Sequence, residues 1–424
     1  MNGPSGVLSD VHGAQTWWAD ATTLERFVRD VLQAELVTLR PDAAPLTGPR
    51  WHPDLHWRDD LGLDSLDLMT LSSALVDAAG VRQLHDIDAL YATPTLGGWT
   101  EMARKALAAP PPQQMRFRTS GSTGSPRSCV HSLSELTQEM QAMAAVIGPV
   151  QRIVTPVRCH HIYGFLFSVL LPRLAGRSAP VPVVDLVGRP PAALSAVIQP
   201  GDLVVGFPDW WQGVVRHPPT WPAGVVGLTS TAPCPDALGD ALHASGLPRL
   251  LHIYGSTETA GIGWKRHGDA HYTVHAFWSR APGQDDRLQR TSPDGRVREA
   301  DAPDHLDWLD DRHLRPIRRR DQVIQVGGVN VQPAWVADQL RARPGVRDAV
   351  VRPQERPGQP TRLKAFVVPE AGLDPVMLVS ELQAWCQRHL APAARPVHIT
   401  TGDALPTNAL GKACDWPLGN ELCP

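Results

Sequence analysis

Hydrophobic spacing in the first hundred residues predicts helices. Residues 22–38 carry apolar side chains three and four positions apart, the pattern of a helix with one buried face. The predicted inward residues of this helix are Leu24, Phe27, Val28, Val31, Leu32 and Leu36. In residues 59–80, Asp64 or Ser65 can cap a second helix. Its predicted inward residues are Leu66, Met69, Leu71 and Leu75. A third helix is expected at about 95–107.

These helices predict an all-α unit over residues 20–107, followed by a Pro-rich linker at 108–114. From residue 115 the pattern changes to short β-branched runs: "RIVTPV", "APVPVVDLV", "DLVVGFP", "AGVVGLT" and "RLLHIYG". Helical stretches are expected between the runs, at 132–147, 190–198 and 235–245. Ser132 and Glu135 are placed as a capping box, so the Ser/Gly-rich segment before them is expected to lead straight into a helix.

Buried strands alternating with helices predict a large α/β core domain over residues 115–321. Beyond it, a strand is followed by helix 333–343, strands 347–352 and 362–368, and helix 375–390. This order predicts a small α+β C-terminal cap over residues 322–424. The expected fold class is therefore an α/β core with a small α+β cap, preceded by an all-α bundle.

Bulk composition narrows the function classes. The 424 residues allow two or three domains, and a net charge of −3 gives no reason to expect nucleic acid as a partner. The chain has no run of 18 apolar residues and no signal-like N-terminus, so we expect a cytoplasmic protein without a membrane partner. Six scattered cysteines without CxxC spacing suit a reducing compartment and argue against a structural metal. Only four of the 40 basic residues are lysines: Lys105, Lys265, Lys364 and Lys412.

The Ser/Gly-rich segment at residues 119–125 is a candidate phosphate-binding loop. Its hydroxyls and glycines offer many donors and no bulky side chains, as a loop that wraps a polyphosphate requires. The segment does not match the GxxxxGK[ST] loop of P-loop enzymes. Taken alone, it also fits a flexible linker.

Four segments in one order carry a family resemblance. "RTSGSTGSPRSCVH" (118–131) resembles the phosphate loop of the adenylate-forming superfamily of acyl- and aryl-CoA ligases, luciferases and nonribosomal adenylation domains. "HIYGSTETAGIGW" (252–264), "IRRRDQVIQVGGVNVQP" (317–333) and "LPTNALGK" (405–412) resemble its later motifs. The resemblance implies an enzyme that makes an acyl-adenylate from a carboxylic acid and ATP with Mg²⁺, then passes the acyl group to a thiol.

The resemblance also implies roles for individual residues in the nucleotide site. ATP phosphates would be held by Thr119, Ser120, Gly121, Ser122, Thr123, Gly124 and Arg127, the last standing where the family usually has lysine. Tyr254 would pack on adenine, and Gly255 beside it would belong to the ATP site. Thr257 would contact the α-phosphate and Glu258 the magnesium ion. Asp307 is the choice for the ribose, with Asp304 and Asp310 as rivals, and Arg319 would lie beside it. Asp321 would be the hinge and Lys412 the catalytic lysine of the cap.

The acid and thiol sites are implied in the same way. His161, Ser230, Thr231 and Ala232 would line the acid pocket, although a core or helix-capping role fits His161 equally well. Four aromatic residues could wall that pocket or simply pack in the core: Phe165, Phe167, Trp210 and Trp211. Gly327 and Gly328 would shape the tunnel through which the thiol reaches the acyl group.

The segment "LGLDSLDL" (61–68) resembles an acyl carrier protein, in which the serine after Asp carries phosphopantetheine. That serine is Ser65 here, and a plain helix cap also explains it. The phosphate loop begins at 119, earlier than in full-length ligases, and this compact layout resembles a short bacterial group of 4-coumarate–CoA ligases. The acceptor is then CoA or an acyl carrier protein. A non-catalytic carrier or scaffold with a degenerate ligase fold remains an alternative. So does adenylate chemistry on a non-thiol nucleophile or a non-carboxylate substrate.

Overall fold

The computed structural model describes residues 16–40, 51–80, 92–108, 114–118, 128–176, 179–320, 323–354, 359–406 and 415–416. The chain divides into two compact units. The first comprises residues 1–118, 128–302 and 306–317, and the second comprises residues 119–127, 303–305 and 318–424. Residues 109–113 of the predicted linker lie outside the described residues.

The α-helices in chain order are α1 (Ala21–Leu39), α2 (Ser65–Ala79), α3 (Leu96–Ala108), α4 (Leu133–Ile147), α5 (Ile162–Phe165), α6 (Leu171–Ala175), α7 (Pro208–Arg216), α8 (Asp236–Ala244), α9 (Pro333–Arg341) and α10 (Pro375–His389). A π-helical turn, Leu166–Leu170, joins α5 to α6. Short 3₁₀ helices lie at Trp17–Ala19, Pro191–Ala196 and Pro392–Ala394. None of the helices in the described ranges combines the length and the apolar character needed to cross a bilayer.

The strands are β1 (Gln114–Arg118), β2 (Ser128–Ser132), β3 (Arg152–Thr155), β4 (Val183–Asp185), β5 (Asp202–Gly206), β6 (Val226–Thr229), β7 (Arg249–Ser256), β8 (Ala260–Arg266), β9 (Tyr272–Val274), β10 (Trp278–Ala281), β11 (Gln284–Thr291), β12 (Val297–Asp301), β13 (Asp304–Asp310), β14 (His313–Arg319), β15 (Ile324–Val326), β16 (Val329–Val331), β17 (Val346–Gln354), β18 (Arg362–Pro369) and β19 (Pro396–Thr401).

Helix α2 begins as predicted but buries a different face. Asp64 is its N-cap and accepts the backbone N–H groups of Leu66 and Asp67, which completes a capping box with Asp67. The expectation that Leu66 and Met69 point inwards is wrong, because these side chains are 73% and 48% exposed. Their positions lie on the side of the helix opposite Leu68 and its buried neighbours.

The N-terminal helices share a hydrophobic core with the α/β domain. One cluster of buried side chains runs from Trp17 and Phe27 through α2 and α3 to the residues of α4, α5 and the parallel strands. The rings of Trp17 and Phe165 meet edge to face, with centroids 5.5 Å apart. The helices are therefore part of the first compact unit, and an independent carrier-like domain is not confirmed.

A hairpin, rather than a direct strand-to-helix step, flanks the Ser/Gly-rich segment. Strands β1 and β2 pair antiparallel, and the last pair of the ladder is Arg118 with Ser128. Residues 119–127, which connect the two strands, lie outside the described residues. The expectation that the segment leads straight into a helix is wrong, since β2 precedes α4. The predicted capping box is also wrong. Ser132 makes no side-chain capping bond, and Glu135 is instead held by Ser292 and arginines.

The predicted apolar runs form the parallel half of a nine-stranded sheet, whose order is β13-β14-β9-β8-β7-β6-β5-β3-β4. Strands β3 to β7 pair in parallel, as continuous buried runs separated by helical segments require. From β8 onwards the sheet continues antiparallel through β9 and β14. A separate three-stranded sheet holds β10, β11 and β12.

The second unit contains the predicted α+β cap. Strands β17, β18 and β19 form its sheet, on which α9 and α10 pack around one apolar core. Strand β19 pairs parallel to β18 and follows the last predicted helix, where the sequence predicted no strand. Strands β15 and β16 form a hairpin whose two turn residues, Gly327 and Gly328, have φ of 60° and 77°. Positive φ at both positions is the geometry that favours glycine in a two-residue hairpin turn.

Candidate active site

The strand order of the first unit marks an edge where a ligand site is expected. The chain passes from β3 outwards to β4 and then returns to β5 on the other side of β3. In open α/β sheets such a reversal opens a crevice at the carboxyl ends of the strands. The residues following β3, β6 and β7 include most of the described candidates of the first unit: His161, Ser230, Thr231, Ala232, Thr257 and Glu258.

The loop after β3 carries His160 and His161, whose rings lie 4.1 Å apart. The His161 side chain is exposed and makes no helix-capping hydrogen bond, although it immediately precedes α5. The pKa of His161 is lowered to about 4, mainly because surrounding protein groups exclude water from the ring and also because the positive charge of Arg158 is near. Its position after β3, at the carboxyl edge of the parallel strands, places His161 beside the crevice expected there. His161 is therefore neutral near pH 7 and can donate or accept a hydrogen bond there.

The turn after β6 is strained. Thr231 has φ of 73°, a left-handed conformation that a β-branched residue avoids at a cost of about 1–3 kcal/mol. Its hydroxyl oxygen is buried and has no hydrogen-bond partner among the described residues. The Ser230 hydroxyl anchors the turn to β7 by donating to the Ile253 carbonyl at 3.0 Å. Such strain is typical of positions where a ligand approaches the backbone closely.

The turn after β7 presents Thr257 and Glu258. The Ser256 hydroxyl accepts the Glu258 N–H at 3.2 Å and the Thr259 N–H at 3.3 Å, which shapes the turn. Tyr254 precedes it, with its ring 5.5 Å from that of Tyr272. The Glu258 carboxylate is exposed and has no hydrogen-bond partner within the described ranges. Carboxylate oxygens are ligands that Mg²⁺ prefers, so Glu258 fits a magnesium ligand.

His131 holds this turn from behind, a contact that the sequence did not reveal. Its Nε2 lies 2.6 Å from the Thr257 carbonyl oxygen, and the ring is 3% exposed. Because a carbonyl oxygen only accepts, Nε2 must carry the hydrogen. Burial lowers the pKa of His131, so the neutral ring is the donor. Since β2 directly follows residues 119–127, this bond ties the strand beside the predicted phosphate loop to the turn that carries Glu258.

A buried acid supports the same turn from helix α4. Glu139 is fully buried, and its two carboxylate oxygens accept the Gly261 N–H at 3.1 and 3.0 Å. Desolvation raises the pKa of Glu139 to about 7, against the opposing charge of Arg290. One turn earlier on the helix, Glu135 contacts Arg290 and Arg298. The sequence signal for this network was two acids four residues apart on an otherwise apolar helix face.

The aromatic candidates pack in the core. Trp210 and Trp211 are 5% and 0% exposed, and the Trp211 indole donates to the Leu228 carbonyl at 2.9 Å. Phe165 and Phe167 are each 0% exposed within the main apolar cluster.

The ribose candidates lie on or beside the edge hairpin of the large sheet. The Asp307 carboxylate pairs with Arg315 at 2.8 Å, and that of Asp310 pairs with His313 at 2.9 Å. Asp304 begins β13 and Arg319 ends β14. Residues 119–127, Asp321 and Lys412 lie outside the described residues. Ser65 is exposed at the start of α2, where Asp64 supplies the cap.

Lys364 of the second unit anchors the chain just beyond Lys412. Its ammonium group, on β18, lies 2.9 Å from the Asp415 carboxylate and 2.8 Å from the Trp416 carbonyl oxygen. The Trp416 ring covers the ammonium at 4.8 Å and meets Phe366 edge to face. Lys364 is 6% exposed, unusual for a lysine unless it is paired.

Comparison with known proteins identifies the family of the chain. Residues 102–287 match the family model described as AMP-binding enzyme, and residues 336–412 match the AMP-binding enzyme C-terminal domain. A 4-coumarate–CoA ligase of Rhodobacter capsulatus is 36% identical over 392 residues, covering 89% of this chain and 94% of the relative. The Halorhodospira halophila protein of the same name is 34% identical over 401 residues, covering 93% and 98%.

A solved structure shares the fold at low identity. The amide bond synthetase McbA of Marinactinospora thermotolerans superposes with a TM-score of 0.61 at 17% identity, covering 92% of each chain. The two family models and the near-full-length relatives show that the chain belongs to the AMP-binding enzyme family. Within that family it is similar, over most of its length, to bacterial 4-coumarate–CoA ligases.

Proposed function

We propose that this protein is an ATP-dependent, AMP-forming ligase that activates an aromatic or arylacrylic acid resembling 4-coumarate and transfers it to the thiol of CoA. The observation that carries the proposal is the conjunction of near-full-length similarity to 4-coumarate–CoA ligases with the cluster of His161, Thr231 and Glu258 at one sheet edge. A cytosolic setting is part of the proposal, supported by the free thiols of Cys129, Cys159, Cys234 and Cys386.

The chemistry explains why such a site needs these groups. A carboxylate is a poor electrophile, so one of its oxygens first attacks the α-phosphorus of ATP and pyrophosphate leaves. The thiol sulfur then attacks the acyl carbon, AMP leaves, and the thiol proton passes to solvent. Charge builds on the α-phosphate in the first step, so preorganised donors and cations there lower the barrier most.

The residues divide between these tasks. Residues 119–127 would hold the terminal phosphates, and Thr257 would donate to the α-phosphate from the turn that His131 and Glu139 hold. Glu258 would hold Mg²⁺, which supplies positive charge beside the phosphates when bound. Neutral His161 would face the acid in the crevice beyond β3. Lys412 would stabilise the charge that develops during adenylation.

A panel of acids scored by pyrophosphate release tests the proposal. The expected result is release with 4-coumarate and related aryl acids, dependent on ATP, and a CoA thioester on addition of CoA. Failure of every aryl acid together with success of a fatty acid would end the aromatic assignment. Failure of all carboxylic acids would end the ligase assignment itself.

Ser65 marks a second possible acceptor, a carrier arm on the chain itself. Its hydroxyl is exposed and Asp64, not Ser65, caps α2, so a capping role does not explain the serine. Mass spectrometry after incubation with CoA and a phosphopantetheinyl transferase tests this acceptor. A mass gain on the peptide containing Ser65 would support self-loading, and the absence of a gain leaves CoA or a separate carrier protein.

A further inference from the structure

We infer that helix α1 is a working part of the acid-binding site, because Asp30 and Gln33 hold the loop that presents His161. The inference rests on the proposed function only in assigning His161 to the acid pocket. It gives the N-terminal helix a positioning role in substrate binding, which neither a carrier-like nor a purely structural appendage would have.

Two consecutive loop residues are tied to one face of α1. Asp30 Oδ2 accepts the backbone N–H of Cys159 at 2.9 Å, across 129 residues of sequence. One helical turn later, Gln33 Oε1 accepts from the Arg158 guanidinium at 2.7 Å. Asp30 is 1% exposed, so its bond to the loop is shielded from water and charge-assisted.

The same face of α1 is fixed to the core at two further points. Arg29 pairs with Asp30 at 3.2 Å and also contacts the carboxylate of Asp185 at the end of β4. Arg26 donates to the Ser168 hydroxyl at 2.8 Å and to the Ser168 carbonyl. Since Arg29 keeps Asp185 as a partner, loss of the Asp30 carboxylate does not leave an unpaired buried cation.

The position of the tethered loop explains why the tether matters for binding. The loop joins β3 to α5 at the point where the strand order reverses, and Cys159 is two residues before His161. The Cys159 side chain is 0% exposed, whereas the His161 side chain is exposed. Asp30 therefore fixes the buried start of a short segment whose end faces the crevice, and its removal allows the His161 ring to move relative to the acid.

The chain offers a matched control at the opposite edge of the same sheet. Asp202 is also 1% exposed and pairs with Arg152 at 2.7 Å. Both residues stand at the first positions of β5 and β3, the amino ends of the strands, away from the crevice. Replacing either buried acid lowers the stability of the protein, whereas only replacement of Asp30 releases the loop that carries His161.

The test compares Asp30→Ala, Asp30→Asn, Gln33→Leu and Asp202→Ala in the full chain, at a temperature where each is folded. Asp30→Ala is expected to raise the KM for the acid on the order of ten- to a hundredfold while the KM for ATP stays unchanged. Asp30→Asn retains an oxygen that accepts the Cys159 N–H, so a smaller rise is expected. Gln33→Leu removes the hydrogen bond to Arg158 and tests the same tether independently if Asp30→Ala does not fold.

Hydrogen exchange of the peptide spanning 156–164 supplies a readout that needs no activity. Exchange is expected to be faster in Asp30→Ala than in wild type, and unchanged in Asp202→Ala. If the wild-type enzyme activates no carboxylic acid, the proposed function fails while exchange still reports on the tether. An unchanged acid KM in Asp30→Ala and Gln33→Leu, an equal rise in Asp202→Ala, or a parallel rise in the KM for ATP would overturn the inference.

Discussion

At the scale of single residues, buried polar groups set the shape of the exposed turn that carries Glu258. His131 donates to the Thr257 carbonyl, and Glu139 accepts the Gly261 N–H on the other side of the same turn. His131 is the last residue of the segment that resembles the phosphate loop, but the resemblance implied no role for it, and Glu139 lies outside the four motifs. Their roles depend on contacts between residues more than 120 positions apart, which hydrophobic spacing does not report.

Replacement of His131 by leucine is expected to loosen the turn, because the Thr257 carbonyl loses its buried donor. We predict a rise in the KM for Mg·ATP of about tenfold, the size of one lost hydrogen bond, with little change in thioester formation from supplied acyl-AMP. Steady-state kinetics of the two half-reactions measures this split. His131→Gln places an amide N–H near the position of Nε2 and should recover much of the affinity. Equal kinetics for His131→Leu and wild type would exclude the positioning role.

Glu139 makes a distinct prediction about pH. Its pKa is raised by burial from an ordinary value of 4.5 to about 7, so the folded state binds the proton more tightly than the unfolded state. The stability from this group is therefore present below pH 4.5 and lost as pH rises through 7. Glu139→Gln imitates the protonated form and does not titrate. As pH rises from 4.5 to above 7, the free energy of unfolding of this variant should therefore increase by roughly 3 kcal/mol relative to that of the wild type.

Denaturant unfolding of both proteins across that pH range measures the difference. Taking the difference between variant and wild type cancels the titration of the other groups, including the buried histidines. Parallel stability curves would show that the Glu139 carboxyl titrates normally in the fold.

At the scale of elements, continuous runs of apolar residues correctly predicted the strands that are buried on both faces of the sheet. Strands β3 to β7 and the helices α4 and α8 lie where the runs predicted them. Strands β10 to β14 were not predicted, because polar residues on their exposed faces interrupt the apolar runs that marked the other strands. The orientation of α2 was misjudged for a related reason, since Leu66 and Met69 are apolar but exposed.

Within the second unit, substitution of Lys364 tests whether its contacts with Asp415 and Trp416 anchor the C-terminal segment. Lys364→Met removes the buried cation, leaves the Trp416 carbonyl without its donor, and should cost about 1–3 kcal/mol. Asp415 follows Lys412 by three positions, so at most roughly 11 Å of extended chain separates the anchor from the lysine. We expect slower adenylation and earlier proteolytic cleavage of the C-terminal segment.

Lys265→Met serves as the control for Lys364→Met, because Lys265 donates to the exposed backbone carbonyl of Asp269 and lies near the Tyr272 ring. Limited proteolysis followed by mass spectrometry locates the cleavage. Identical digestion patterns and adenylation rates for Lys364→Met and wild type would contradict the anchoring role.

At the scale of the whole molecule, the family was predictable from four ordered motifs, and the similarity to AMP-binding enzymes confirms it. The tether from α1 to the His161 loop was not predictable. Asp30 looked like any polar residue of an amphipathic helix, and its partner Cys159 N–H is a backbone group with no sequence signature. Contacts of this kind follow from tertiary packing alone.

The central claim of the proposed function is that Lys412 stabilises the charge that develops during adenylation. The direct measurement is acid-dependent exchange between pyrophosphate and ATP in wild type and Lys412→Ala, beside thioester formation from supplied acyl-AMP. Lys105→Ala, at an exposed lysine of α3, is the control. Exchange should fall on the order of 10²–10³-fold in Lys412→Ala while transfer from acyl-AMP persists. Exchange at the wild-type rate in Lys412→Ala would contradict the claim.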